Sequence, residues 1–301
     1  MLYPENEKAL DDQDIWTVQR ILKWSGDWLK SKISYPLVNP RLDVEVLLGF
    51  VLGVDRMGLY LQMDRPLTKS EREQFKKFLL LRADSTPVAY IIGYRDFYRH
   101  RFKVTNDTLI PRPDTEVLVE AVAAHLRQNE SAQILDIGTG CGCIALSLAA
   151  EFPRTQVEAW DISLAALAVA KENQEKIGLT NVKFVSQNAL DLEAFKTPRF
   201  DVIVSNPPYV PWGEKVLCSP ETLNFEPQTA LFAAEEDGLT FYRILAKSAQ
   251  SLLYEGGKIF LEFGASQAEK VAHLIESHGW RKIIMMKDLS GLNRAIAAER
   301  P

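Results

Sequence analysis

The sequence predicts an α/β protein: a doubly wound, Rossmann-like, mostly parallel sheet, with a small N-terminal helical domain and a β-hairpin linker ahead of it. Three observations carry that prediction. From Ala132 onward, short apolar, β-branched runs alternate with segments of helical period, the pattern that right-handed crossovers produce. The stretch Asp136-Ile137-Gly138-Thr139-Gly140-Cys141-Gly142 follows the first of those runs and opens a helix, as a ligand-binding turn does. Up to about residue 86, apolar positions recur only at helical spacing.

In chain order, Ile15, Val18, Ile21, Leu22 and Leu29 share one face of a helix between Asp14 and Lys30, with Trp24 and Trp28 beside it. Asn39-Pro40 offers an N-cap and a proline at the first helical position, Leu42–Leu52 the apolar body, and Gly53 a stop. Thr68 and Glu71 make a capping box for a helix through Phe75, Phe78, Leu79 and Leu81. Nothing in this 1–86 domain suggests chemistry. The linker, 87–113, changes texture: Phe97–Val104 mixes aromatics and cations in near-alternation, as a hairpin does. Its basic patch (Arg95, Arg99, Arg101, Lys103) is expected to be a solvated face, with a binding surface as the alternative. Ile110-Pro111-Arg112-Pro113-Asp114-Thr115-Glu116 then forms a rigid connector into a helix. In the 114–301 domain, strands are expected at Gln133–Ile137, Gln156–Asp161, Val182–Ser186, Asp201–Ser205, Lys258–Phe263, Lys282–Met286 and Arg294–Ala298. Helices are expected at Cys143–Glu151, Ser163–Ile177, Gly238–Leu253 and Ser266–His278.

Composition narrows the function classes. Across 301 residues the net charge is -5, which argues against broad adhesion to nucleic acid. No apolar run reaches the roughly 20 residues that span a bilayer, and MLYPENEKALDDQD does not read as a signal peptide. Three cysteines make neither a disulfide framework nor a four-ligand zinc set, and the four histidines form no HExxH. A monomer in a reducing cytoplasm, without a metal or a membrane, is expected.

Two stretches carry the chemistry. Glycines in the 138–142 loop let the backbone approach a ligand, and free N–H groups of a helix start favour an anionic group. A dinucleotide fingerprint, G-x-G-x-x-G, would need glycine where Cys143 stands. The second strand ends in Asp161, about twenty residues past the glycines, where a carboxylate can take both ribose hydroxyls. Together these point to a nucleoside held by its ribose with no pyrophosphate to cradle, which fits S-adenosyl-L-methionine. The other stretch is Asp201-Val202-Ile203-Val204-Ser205-Asn206-Pro207-Pro208-Tyr209. Its prolines lock a stiff corner at the carboxyl end of a strand, the place where open α/β sheets put their ligands.

These residues resemble the HemK/PrmC family of protein-glutamine methyltransferases along nearly the whole chain. The likeness runs through Pro87–Gly93, Leu109–Glu116, Leu135–Gly140, Ser205–Tyr209 and Phe225-Glu226-Pro227. It implies a class I methyltransferase domain that modifies the glutamine amide of the Gly-Gly-Gln motif in peptide chain release factors, with the helical domain recognising the factor. By motif match, Gly138, Thr139, Gly140, Cys141, Gly142, Asp161, Asn188, Ala189 and Asn206 bind S-adenosyl-L-methionine. Asn206, Pro207, Pro208, Tyr209 and Glu226 bind the glutamine, with Asn206, Pro207 and Tyr209 catalytic. At the adenine pocket the family usually has an acid, where this chain has Asn188 followed by Ala189. On this reading Asn206 accepts an amide N–H through its side-chain oxygen, a carbonyl at Pro207 takes the other, and Tyr209 packs on the flat amide. Glu226 either orients its loop, accepts a proton late, or forms a structural ion pair. An adenine methyltransferase of nucleic acid would share the N-P-P-Y corner but needs a basic groove. A silent adaptor would not need the glycine loop, Asp161 and the corner together.

Overall fold

The caps that the sequence marks are present in the computed structural model, which describes residues 15–33, 35, 39–129, 131–195, 197, 199–233 and 235–301. The reading of Met1–Asp14 lies outside the described residues. Thr17 Oγ1 accepts from the Arg20 N–H at the start of α1 (Val18–Lys32). Asn39 Oδ1 accepts from the Leu42 N–H to open α2 (Pro40–Leu52), and Gly53 ends it in the left-handed conformation, φ 67°. After α3 (Arg56–Tyr60), the Thr68–Glu71 capping box opens α4 (Lys69–Ala83). A short α5 (Val88–Ile92) closes this first unit, which also includes Ser219–Glu221. Its core is built from Val18, Leu22, Leu29, Val44, Leu47, Leu48, Leu59, Phe75 and Leu79.

The second unit begins at Gly93 with a hairpin of β1 (Tyr94–Phe97) and β2 (His100–Lys103). Three of its four cations are paired: Arg101 with Asp96 at 2.8 Å, Lys103 with Glu172 at 2.7 Å and Arg99 with Glu151 at 3.7 Å. Then follow α6 (Glu116–Leu126), β3 (Gln133–Ile137), α7 (Cys143–Glu151), β4 (Gln156–Asp161), α8 (Leu164–Ile177), β5 (Val182–Ser186) and β6 (Phe200–Ser205). Beyond β6 come α9 (Pro220–Phe225), α10 (Gln228–Leu231), α11 (Thr240–Ser248), β7 (Leu253–Glu262), α12 (Ala268–Ser277), β8 (Arg281–Lys287) and β9 (Asn293–Glu299).

The strand order is β5-β4-β3-β6-β7-β9-β8, parallel through β7 and antiparallel at β9 and β8. β3 neighbours β4 on one side and β6 on the other, so the order reverses there and the carboxyl ends of β3 and β6 flank a crevice. The sheet is buried through Leu135, Ile137, Ile203, Ile259, Leu261 and Ile296, covered by Tyr242 and Leu245 of α11 and Val271 and Ile275 of α12. Several predicted boundaries move by one or two residues, and the largest change is between α11 and β7. The helix expected over Gly238–Leu253 stops at Ser248, a 3-10 turn fills Ala249–Ser251, and β7 already begins at Leu253. Leu253 pairs with Phe200 before an irregularity in the ladder, and Gly256, at φ 74°, bends the strand there. Among the described residues no helix is long and apolar enough to cross a membrane.

Candidate cofactor and substrate site

The glycine loop divides its work among four residues. The Gly138 and Thr139 N–H groups both donate to the Trp160 carbonyl, at 2.8 and 2.9 Å, fixing the turn to the end of β4. Gly138 (φ 76°) and Gly140 (φ 57°) have no atom within 4 Å of where a side chain would begin, so their backbone lies open to a ligand. Gly142 (φ 84°) serves packing instead: a Cβ there would sit 2.9 Å from Leu146 Cδ1 and 3.3 Å from Ala170 Cβ. It fills the close-approach role that a dinucleotide fold gives to its third glycine, and Cys143 begins α7. Thr139 and Cys141 are buried, and Thr139 Oγ1 donates to Asp136 Oδ2 at 2.7 Å. Asp136 is fully buried, and loss of water pushes its carboxyl up to about 7.

Asp161, the last residue of β4, is held from two sides. Its Oδ2 accepts from the Gly140 N–H and its Oδ1 from the Ser163 N–H, each at 2.9 Å. Each oxygen keeps a further lone pair. Asn188 Oδ1 accepts from the Leu190 N–H at 3.0 Å, so it caps the turn over Ala189–Ala194.

A cavity of about 770 Å³ brings Gly138, Gly140, Asp161, Asn188, Ala189, Asn206 and Pro208 onto one wall system. That volume suits a nucleoside-sized ligand with room for a second group. Its remaining lining includes residues that sequence reasoning missed: Asn106–Leu109 after the hairpin, and Trp212, Phe232 and Phe241. Among the residues singled out in the sequence, Thr139, Cys141, Gly142, Pro207, Tyr209 and Glu226 do not line it.

Tyr209 instead locks the corner from beneath. Its ring packs on the core cluster, and a side chain on Gly264 would meet its Cδ2 at 3.4 Å. Its carbonyl accepts from Gln267 Nε2 at 2.9 Å, and burial pushes its hydroxyl up to about 12. Glu226, also buried, takes the Ile110 N–H at 3.1 Å and Arg112 Nη2 at 2.5 Å. Both its oxygens are thus committed to the I-P-R-P connector, the structural ion pair among the roles its sequence context allows.

At the head of the corner, Ser205 Oγ donates to the Ile137 carbonyl at 2.7 Å and ties β6 to β3. Asn206 Nδ2 donates to Thr115 Oγ1 at 3.1 Å, which leaves Oδ1 as the acceptor for a ligand. Beside them stands Glu262, the last residue of β7, only 1% exposed. Burial pushes its carboxyl up to about 7, opposed by the Thr115 hydroxyl, the Arg294 guanidinium and the Asn206 amide. Neither Thr115 nor Glu262 carried a site role in the sequence. The one local signal was an acid at the end of an otherwise apolar strand, Lys258–Phe263.

The residues present fit S-adenosyl-L-methionine. The open glycine backbone, the spare lone pairs of Asp161 and the apolar surfaces of Ala189, Leu190 and Phe241 suit a methionyl group, a ribose and an adenine in turn. Residues 113–217 match the Methyltransferase small domain family, and residues 21–93 match the PrmC N-terminal domain family. The chain is 38% identical to the release factor glutamine methyltransferase of Geobacter sulfurreducens, over 94% of this chain and 96% of that one. It is 37% identical to the release factor glutamine methyltransferase of Chlorobaculum tepidum, over 96% and 99%. Against the bifunctional methyltransferase of Rickettsia typhi the identity is 39% over 93% of this chain, which spans only 57% of that longer protein. With both of its segments matched and full-length relatives at this identity, the chain belongs to the HemK/PrmC family of release factor glutamine methyltransferases.

Proposed function

We propose that the protein methylates the side-chain amide nitrogen of the glutamine in the Gly-Gly-Gln motif of peptide chain release factors, with S-adenosyl-L-methionine as donor. The observation that carries this reading is that the Asn206 corner and the Gly138–Gly140–Asp161 cradle open into one cavity. When bound, S-adenosyl-L-methionine supplies an electrophilic methyl carbon on a good leaving group. The chain must do the rest, because an amide nitrogen is a poor nucleophile whose lone pair is delocalised into its carbonyl. Asn206 cannot serve as a base. It can accept one amide N–H at Oδ1, while a backbone carbonyl of the Asn206–Pro208 corner, whose two end residues line the cavity, accepts the other. Two fixed acceptors turn the nitrogen towards the methyl group and stabilise the positive charge that develops on it, at no cost in reorganisation.

Residues 1–86 serve to recognise the release factor, 87–113 to link, and 114–301 to catalyse, with the chain acting as a monomer in the cytoplasm and without stable nucleic-acid binding. Mass spectrometry of a release factor incubated with the protein and donor is the direct test. One added methyl on the Gly-Gly-Gln glutamine is expected, and an unmodified factor overturns the proposal. A protein shortened to begin at Gly93 should lose about tenfold or more on whole release factor and much less on a short Gly-Gly-Gln peptide, because remote contacts are absent there. Equal losses on both substrates would remove the recognition role.

Asp161→Ala is expected to weaken donor binding by about 1.5–3 kcal/mol, the scale of a lost charge-assisted hydrogen bond. The loss includes the acceptor that holds the Gly140 N–H in place. Calorimetric titration checks it, and unchanged affinity would deny the ribose its assigned partner.

A further inference from the structure

We propose that Glu262 and Thr115 are positioning residues that set which end of the Asn206 amide faces the substrate. The inference rests on the methyl-transfer reading and deepens it. The two ends of an asparagine amide are alike in size, so turning it over about its last torsion swaps donor and acceptor with little steric change. Hydrogen bonding alone must select the useful orientation. Facing the substrate with Oδ1 gives the glutamine N–H an acceptor. Facing it with Nδ2 would set donor against donor and leave the reacting nitrogen unoriented.

The surroundings select the first arrangement. Nδ2 donates to Thr115 Oγ1 at 3.1 Å, and Thr115 is itself 2% exposed in the turn Pro113–Thr115, where its N–H donates to the Arg112 carbonyl. A hydroxyl can donate or accept, so the direction of this one is set by the Glu262 carboxyl it also meets, which takes its proton and leaves Oγ1 to accept from the amide. The ladder pairs Ser205 of β6 with Leu261 of β7, which puts Asn206 and Glu262 next in line at the carboxyl ends of adjacent parallel strands. The Glu262 carboxyl faces both the Thr115 hydroxyl and the Asn206 amide. Once ionised, above about pH 7, that carboxyl is an acceptor only, so it tolerates the NH₂ end of Asn206 and repels the carbonyl end.

An ordinary structural role does not account for this acid. Glu262 Oε2 is buried with no hydrogen-bond partner. Nearby Arg294 is engaged elsewhere, its guanidinium at 3.1 Å from both Asp114 and Asp288. A carboxyl buried without an ion pair costs stability, so its presence at this point answers to the site and not to the fold.

The test is a pair of double-mutant cycles with Asn206→Ala, read by single-turnover methyl transfer to a release factor, with donor affinity and thermal unfolding measured alongside. Read above pH 7, where the acid is ionised, Glu262→Gln removes the charge and offers Asn206 either a donor or an acceptor, so the selection is lost. Thr115→Val keeps the shape and removes the hydroxyl, and it carries the test if Glu262→Gln unfolds. Each is expected to slow transfer about tenfold, below the loss from removing a preorganised polar group outright. Donor affinity should not move. In the Asn206→Ala background both effects should vanish, because no amide remains to be oriented. Losses that persist undiminished in that background, or wild-type rates for both single variants, would overturn the proposal. Asn206→Ala turning over at the wild-type rate would instead overturn the parent reading of the corner.

Discussion

Asn206→Ala is expected to lower the rate of methyl transfer by about 10²–10³-fold, the usual scale for removing one preorganised polar group from a transition state. The substitution deletes the Oδ1 acceptor and leaves the corner standing. Pro207 and Pro208 still fix the backbone, Ser205 still binds the Ile137 carbonyl, and Gln267 still holds the Tyr209 carbonyl. Donor affinity should therefore fall only slightly, since Gly138, Gly140 and Asp161 are untouched. Asn206→Asp is the sharper comparison. A carboxylate keeps an acceptor and attracts the developing positive charge, but it loses the N–H that binds Thr115 and places a second acid beside Glu262. Two carboxyls so close share a proton, which costs part of the acceptor's strength. Activity between alanine and wild type is expected. Single-turnover transfer, with calorimetry for the donor, measures both, and a wild-type rate in the alanine variant would reduce the corner to a turn.

The parts of this site that were legible in the sequence are those whose meaning is local. Gly138, Gly140 and Asp161 could be read because a strand, a turn and a helix start lie within a few residues of each other, and Asn206 because two prolines follow it at once. The parallel sheet was legible for the same reason, each strand being a short apolar run with its own crossover helix. Thr115 was not, because its partner stands 91 residues away and only the folded chain joins them. Glu262 reads in sequence as the polar end of a strand, and its burial depends on the neighbouring β6 and on the 113–115 turn. Short elements such as α3, α5, α9 and α10 run four to six residues, too few for a helical period to show. Gly256-Gly257 looks like a turn and hides the first residues of β7.

Stability should fall as pH rises from about 4.5 to 7, to the extent that Glu262 and Asp136 control it. Both acids have folded pKa values raised to about 7 from ordinary values of 4.5 and 3.8, burial being the largest cause in each. Between those values the folded protein holds a proton that the unfolded chain has released, so the unfolded state binds fewer protons and the stability curve slopes downward. The contribution is whole below the unfolded pKa and is lost as pH climbs through the folded one. Around Glu262, Arg294 lowers the pKa while Asp114 raises it, and the Thr115 hydroxyl and Asn206 amide lower it; around Asp136, Thr139 lowers it and Asp161 raises it. At 1.36 kcal/mol per unit, the Glu262 shift corresponds to about 3 kcal/mol and the Asp136 shift to about 4 kcal/mol. Glu262→Gln should therefore gain about 3 kcal/mol on the wild type between pH 4.5 and 7, and Asp136→Asn about 4 kcal/mol between pH 3.8 and 7, with no further change above. Denaturant unfolding of the three proteins across that range gives the differences directly, and differences that stay flat with pH would mean that neither carboxyl holds its proton in the fold.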